Sequence, residues 1–492
     1  MFSFYLTHLR LGLLFTIMGA GITCLHGGTE VSLSGTRWFI NGKVTNAGSA
    51  AEGLLMNVRM VNATFEDLNK PDFDPEANTQ AFLAHLPEYA AAGVNAFTLC
   101  LQGGNPEYEG AVNSAFAADG SLRPGYMRRI ERVIRACDEQ GVAVILSYYY
   151  QRQIKLLKDE AAIRAGVENA TRWIVERGFK HVMVEVANEH AHGGFKGAPV
   201  IQTPAGQASL LRLVKQIAPH LLVTASGYSS GRVSPLVAEA CDFLSPHWNL
   251  AKLEDIPARI EMLRRFGKPL VCNEDLRHND QDLLSALRIS VEHGCSYGLM
   301  AKDVNQTYPF RFQGTADSPA FYAALRELTS PRAKTIVERN GIVQFEAEDG
   351  VGDWKRISTP TGEAVQDPGS GAMRYEIEFT QPGKYYVFLL ARQGEAGRGK
   401  GKENDVALTL GGEKLYGVDD STRPVGLRSS GEWKWGWRPK GPGSHTPAAI
   451  REKPAYFLVK QPGRLRLEMA HRSENFAVDR VMMKLNDPTP PQ

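Results

Sequence analysis

The chain has 492 residues, 43% of them hydrophobic and 22% charged, with a formal net charge of +2 at pH 7. That length exceeds one ordinary core and calls for two domains, one of them large. So balanced a charge gives no argument for nucleic acid or an anionic membrane as a partner.

Residues 11–22 (LGLLFTIMGAGI) form an apolar and small-residue run behind His8 and Arg10. The run is short for a bilayer span and fits a secretory signal peptide over residues 1–27. The mature chain is therefore expected to be secreted or periplasmic, with no membrane contact after signal removal. Of the six cysteines, Cys24 leaves with that segment. Cys100, Cys137, Cys241, Cys272 and Cys295 lie in or beside apolar or helix-period runs and read as small buried hydrophobes.

From about residue 52 to 330 one rhythm repeats. Apolar runs at 54–61, 94–101, 142–149, 181–188, 221–226, 242–248, 269–274 and 296–303 alternate with amphipathic stretches. Those stretches cover 78–92, 126–140, 160–177, 206–218, 235–240, 256–266, 282–293 and 319–328. Gly93, Gly141, Gly178, Gly267 and Gly294 stand where helices should end, as glycine accepts the left-handed conformation there. Eight strands alternating with eight helices over roughly 280 residues predict an α/β fold, a (β/α)8 TIM barrel within 28–332. A doubly wound sheet would place a glycine-rich loop after its first strand. Residues 56–67 (MNVRMVNATFED) contain no glycine.

After Pro331 the helical period stops. Short alternating runs at 343–347, 373–379, 385–390, 406–410, 456–459, 465–469 and 478–485 are separated by turns such as 381–383 and 461–463 (both QPG). They predict an all-β, jelly-roll-like sandwich over 333–492. Residues 392–404, rich in glycine and charge, read as a loop.

In such a barrel the chemistry collects at the C-terminal ends of the strands. Strand four ends in Asn188-Glu189-His190, strand seven in Asn273-Glu274-Asp275, strand six in His247-Trp248-Asn249 and strand eight in Lys302-Asp303. Strand one supplies Asn57 and Arg59, strand two Gln102, and strand three Tyr148-Tyr149-Tyr150-Gln151. Strands four and seven face each other across the mouth, so Glu189 and Glu274 can oppose one another. Two opposed carboxylates are what glycosidic cleavage needs, one to protonate the leaving oxygen and one to attack or stabilise the anomeric carbon.

Residues 182–189 (VMVEVANE) and 268–274 (KPLVCNE) resemble the strand-four and strand-seven segments of clan A glycoside hydrolases, the family-5 cellulase-like members in particular. The resemblance implies a retaining mechanism with Glu189 as acid/base, Glu274 as nucleophile and Asn188 on the sugar 2-hydroxyl. It implies no cofactor for catalysis and an oligo- or polysaccharide as partner. Departures are His190 where many members have proline, and Lys302 and Asp303 where many have tryptophan. We place His247 and Trp248 as an aromatic subsite wall, with Gln102, Tyr148 and His190 as further substrate contacts. His190 and His247 are alternatively structural donors to a loop carbonyl. Tyr148 to Tyr150 divide between core and cleft by alternation, with one or two rings facing the site. Arg59 is either a sugar ligand or a clamp on a carboxylate. Lys302 is either a ligand for an anionic sugar or half of a rim ion pair with Asp303.

In the C-terminal part, residues 344–348 (QFEAE) and 476–481 (FAVDRV) resemble the first and last strands of family-6/35 carbohydrate-binding modules. Glu346, Glu348 and Asp479 there could hold a structural calcium, or form a surface acidic patch. Trp433, Trp435 and Trp437 alternate, which suits either a sugar-stacking platform or packing against the barrel. Two rival functions remain: a non-catalytic glycan-binding protein on a barrel scaffold, and a metal-dependent hydrolase using His190, His192 and His247.

Overall fold

The computed structural model describes residues 28–227, 231–249, 251–359, 362–394, 405–415, 426–428, 432–440 and 454–491. Residues 1–27, where the signal-peptide expectation falls, lie outside the described residues, as do residues 395–404 of the expected loop. No helix among the described residues is long and apolar enough to cross a membrane.

The described residues open with an element the sequence pattern does not flag, a small antiparallel sheet of β1 (Val31–Ser34), β2 (Arg37–Ile40) and β3 (Lys43–Val44). Asn41 and Gly42 turn β2 into β3 with φ of 53° and 72°. Two positive φ values in a two-residue loop are the type I′ hairpin that matches strand twist. The sheet carries Trp38, fully buried, against the lower end of the barrel, its ring edge-to-face with Phe243 at 5.2 Å.

The barrel follows. β4 (Asn57–Arg59), β5 (Ala96–Cys100), β6 (Ala143–Tyr149), β7 (Val182–Ala187), β8 (Val223–Thr224) and β9 (Gly298–Leu299) pair in parallel, in the order β8-β7-β6-β5-β4-β9. The gap between β8 and β9 is closed by residues 244–247 and 270–275. Single parallel bridges join Ser226 to Ser245, Leu244 to Leu270, His247 to Glu274, Val271 to Ser296 and Asp275 to Leu299. The ring of eight parallel strands is complete. Gly298 allows it to close tightly: a Cβ there would lie 2.4 Å from the Cys272 carbonyl oxygen and 2.8 Å from the Asn57 amide nitrogen.

Helices α1 (Pro75–Ala91), α2 (Pro124–Glu139), α3 (Glu160–Glu176), α4 (Pro199–Gln202), α5 (Pro204–Ile217), α6 (Pro235–Ala240), α7 (Ile256–Arg264), α8 (Asp280–Glu292) and α9 (Pro319–Thr329) lie between the strands in sequence. Their starts are encoded locally. Asp74, Asp159, Thr203 and Asn279 each cap a helix by accepting from backbone N–H groups of its first turn. The five glycines expected to end helices all adopt positive φ. Cys100, Cys137, Cys241, Cys272 and Cys295 are free and buried, as small apolar residues would be.

The C-terminal part is a two-sheet, almost wholly antiparallel β-sandwich. In one sheet Ala477–Leu485 runs beside Ile342–Glu346, Gly362–Gln366 and Gly383–Arg392. In the other Gly463–Ala470 runs between Ala372–Phe379 and Asp405–Leu410. Residues two apart, such as Tyr385, Val387 and Leu389, are buried into the shared core.

Replacing Trp38 by alanine removes the plug of the barrel floor. Large aromatic truncations of this kind cost about 3–5 kcal/mol. The expected result is a lower thermal midpoint for barrel unfolding; an unchanged midpoint would show that the floor seals without it.

Candidate active site

Glu274 ends the seventh barrel strand with its side chain 11% exposed, where an isolated carboxylate would be costly. Arg59, at the end of β4 and 1% exposed, places Nε 2.9 Å from Glu274 Oε2. Asn249 Nδ2 donates to Glu274 Oε1 at 2.6 Å. The amide of Asn249 is oriented in turn, because Leu276 N–H donates to its Oδ1 at 3.1 Å. Burial pushes the Glu274 carboxyl pKa up, but Arg59, His247 and Asn249 outweigh it and hold the group below its ordinary value. Burial also opposes the charge on Arg59, and Glu274 together with Cys100, Glu185 and Tyr150 more than restores it.

Arg59 reaches sideways as well. Its Nη2 donates to Asn188 Oδ1 at 2.8 Å, and Asn188 Nδ2 donates to Gln151 Oε1 at 3.3 Å. One arginine therefore sets both the carboxylate on strand seven and the residue preceding Glu189. Glu189 itself has φ of +47°, in the left-handed region that a residue with a side chain seldom enters. Its N–H donates to Ser226 Oγ at 2.8 Å, and its carbonyl accepts from His192 N–H at 2.7 Å. Strain of this kind, on the order of 1–3 kcal/mol, persists where surrounding bonds over-determine it.

Between the two carboxylates stands His247, fully buried. Its Nδ1 lies 3.3 Å from Glu189 Oε1 and 3.7 Å from Glu274 Oε1. Oxygens of Glu189 and Glu274 and this nitrogen all lie within 4.8 Å of one another. Burial lowers the imidazole pKa, but Glu274 and Glu189 together raise it above its ordinary value. The guanidinium and the imidazole, the latter with its proton affinity raised, oppose the charge of the two carboxylates. Such opposition is what so enclosed a site requires.

Several residues expected at the site lie elsewhere. Tyr148 is fully buried with its hydroxyl 3.2 Å from Thr171 Oγ1 on α3, so it faces the helix layer. Tyr150, two residues on, is the ring of this run that lies near enough to feel the charges of Glu274 and Arg59. Trp248 is fully buried in the apolar core and forms no subsite wall, since strand alternation turns it outward when His247 faces in. Gln102 is an internal brace: Oε1 accepts from Tyr150 N–H at 3.1 Å while Nε2 donates to Ser114 Oγ at 3.3 Å. His190 is buried away from both carboxylates, and burial lowers its pKa. Lys302 sits on the rim, paired with Glu107 at 3.0 Å rather than with Asp303. Arg59 is the carboxylate clamp of the two readings offered. Asn249 and Gln151 stand at strand ends in the sequence without an assigned role and Ser226 closes an apolar run; their hydrogen bonds to Glu274, Asn188 and Glu189 exist only in the closed ring.

The metal readings change too. His190 and His192 do not converge with His247; His192 Nδ1 instead accepts from Gly194 N–H at 2.9 Å. In the sandwich, Glu348 lies in a 3-10 turn (Ala347–Asp349), not on one strand face with Glu346. Arg480 occupies the Glu346 carboxylate at 2.8 Å. Glu346, Glu348 and Asp479 do not bring ligand oxygens together as closely as the Glu189 cluster does. Trp433, Trp435 and Trp437 are half-buried, with Arg392 over the Trp433 ring at 5.4 Å.

No family model matches this chain, and no curated protein matches it. Solved structures of similar outline include a glycoside hydrolase family 5 protein from Bacteroides vulgatus, at 12% identity over 90% of this chain and 93% of that one, TM-score 0.43. Others are a β-mannanase from Thermomonospora fusca in complex with mannohexaose (12% identity, 61% and 96% covered, TM-score 0.42) and a β-mannanase from the blue mussel Mytilus edulis (10%, 61% and 96%, TM-score 0.42). The barrel is established by its own strand pairings, and the reading of the site rests on its own geometry.

The cluster predicts a pH signature in stability. The raised His247 pKa means its attraction to the carboxylates is fully present below the ordinary histidine value, about 6.5. That contribution is lost as pH rises through the raised value. The depressed Glu274 pKa means its contribution is lost as pH falls through the lowered value. Urea unfolding of the wild type against His247→Gln should therefore differ most between the ordinary carboxylate range and neutrality. A difference that grows on the alkaline side would contradict the arrangement.

Proposed function

We propose that this protein is a retaining glycoside hydrolase, with Glu274 as nucleophile and Glu189 as acid/base. One observation carries the reading: two carboxylates on facing strands approach within 4.8 Å in an enclosed mouth. Retaining enzymes set this pair about 5–5.5 Å apart, whereas an inverting pair leaves room for a water at about 6.5–9.5 Å. The different surroundings divide the roles. Glu274 is held ionised by Arg59, Asn249 and His247 and suits attack on the anomeric carbon. Among the described residues the ion-pair partner of Glu189 is His247, with no arginine or lysine, which supports the acid/base role.

In the first step Glu189 protonates the glycosidic oxygen as the bond from that oxygen to the anomeric carbon breaks. Glu274 forms a bond to the anomeric carbon, giving a glycosyl ester. In the second step Glu189 takes a proton from water, whose oxygen displaces Glu274. Asn188, having given one N–H to Gln151, has a second to offer a sugar hydroxyl. The reading includes export, which the amino-acid run at 11–22 supports, and a glycan-binding role for the sandwich, which the half-buried tryptophans support.

Glu274→Gln should abolish hydrolysis of 4-nitrophenyl glycosides, and the wild-type product should first appear with the anomeric configuration of the substrate. Glu189→Ala should lose about 10²–10⁴-fold on substrates with poor leaving groups. It should lose far less on 4-nitrophenyl glycosides, whose leaving group needs little protonation. Full activity in Glu274→Gln would refute the assignment.

The Glu189, His247 and Glu274 trio is also spaced to take a cation, which supports a second reading as a metal-assisted hydrolase. Arg59 argues against it by placing a fixed positive charge on Glu274. Under the retaining reading activity withstands exhaustive chelation. Loss restored by a divalent metal would favour the second.

A further inference from the structure

Three neighbouring mouth loops, residues 60–74 after β4, 101–123 after β5 and 300–318 after β9, are tied to one another. Asp67 accepts from Val112 N–H at 2.9 Å and from the Tyr108 hydroxyl at 2.8 Å, joining the first loop to the second. Leu68 N–H donates to the Val112 carbonyl at 3.1 Å, and Asn69 Nδ2 to the Gly110 carbonyl at 2.7 Å. Tyr308 N–H donates to the Pro106 carbonyl at 3.1 Å, and Lys302 pairs with Glu107 at 3.0 Å, joining the second to the third. Asn62 Nδ2 donates to the Gln306 carbonyl at 2.8 Å and closes the triangle.

Aromatic rings fill the joint. Tyr308 meets Phe73 at 6.1 Å, Tyr108 at 5.8 Å and Phe310 at 5.8 Å, all edge to face. Lys70 Nζ lies 4.6 Å from the Tyr308 ring centre. So many bonds between loops make a fixed wall rather than three independent flaps. Because β9, β4 and β5 are consecutive in the ring, the wall stands along one continuous side of the mouth.

The seventh strand, which neighbours β9 in the ring and carries Glu274, is joined to α8 by residues 276–279 alone. At the base, Glu189 and Glu274 keep only 12% and 11% of their side-chain surface open. A chain cleaved in its interior needs passage on both sides of the carboxylates, and here one side is built up.

We propose that the site is a pocket closed by this three-loop wall, and that it receives the end of a glycan chain, so cleavage is exo. The proposal rests on the glycoside hydrolase reading above. The test uses full-length protein on 4-nitrophenyl glycosides of both anomers, with mannan, xylan and carboxymethylcellulose as polymers. New reducing ends and solution viscosity are followed together.

The expected result is turnover of an aryl monosaccharide, with reducing ends accumulating from the matching polymer while viscosity holds. The Tyr108→Ala, Tyr308→Ala double variant, checked for folding by its thermal midpoint, should lower the wall and shift cleavage inward, so that viscosity falls earlier. A steep early viscosity fall with the wild type overturns the pocket and leaves the hydrolase reading standing. Unchanged activity in Glu274→Gln overturns the hydrolase reading, and no turnover of any substrate by the wild type overturns both.

Discussion

The site depends on one constraint: two carboxylates held close together, mostly out of water, must be neutralised by groups that cannot move away. Arg59 meets it. Its guanidinium keeps its charge at any working pH and has several donors in a fixed plane, so it can bind Glu274 and Asn188 together. Lysine could supply the charge but not both contacts. Replacing either member of such a buried pair leaves the other charge stranded, at about 3–5 kcal/mol.

The barrel makes that pairing possible. Parallel strands bring their C-terminal ends to one rim, so residues as far apart as Arg59, Asn188, His247 and Glu274 converge. The sixth and seventh strands are joined by backbone hydrogen bonds such as Val271 N–H to the Leu244 carbonyl and Trp248 N–H to the Glu274 carbonyl, and the bridge between His247 and Glu274 sets the imidazole beside the carboxylate. Left-handed Glu189 turns the chain sharply at the end of β7, and Ser226 from the neighbouring strand end secures it. Backbone strain and charge repulsion thus meet at one point, as expected where stability is given up for function.

Much of this was legible beforehand. The alternation of apolar runs and amphipathic stretches defined the barrel, because strands buried on both faces need unbroken apolar character. Helix ends were marked by glycines and capping side chains, which act through neighbouring backbone and so need no tertiary information. The errors have a common cause. Tyr148, Gln102, Trp248 and His190 sit at strand ends as expected, but sequence position does not say which way a strand-end side chain turns. Tyr148 and Trp248 face outward, while Tyr150 and His247, one or two residues away, face the site. The N-terminal sheet was passed over because its strands are too short to show a period, although the Asn41-Gly42 turn was a usable signal.

By itself the sequence determined the fold class, a barrel followed by a sandwich, since period and composition act locally along the chain, and it marked Glu189 and Glu274 as candidates by their places at strand ends. Only the tertiary structure decided the partners: Arg59 as clamp, Asn249 and His247 on the carboxylates, Lys302 on Glu107, Arg480 on Glu346. A partner is a matter of distance and direction across the closed ring or the paired sheets. Coulomb and hydrogen-bond energies fall away within a few ångströms, and spacing along the chain does not encode that geometry.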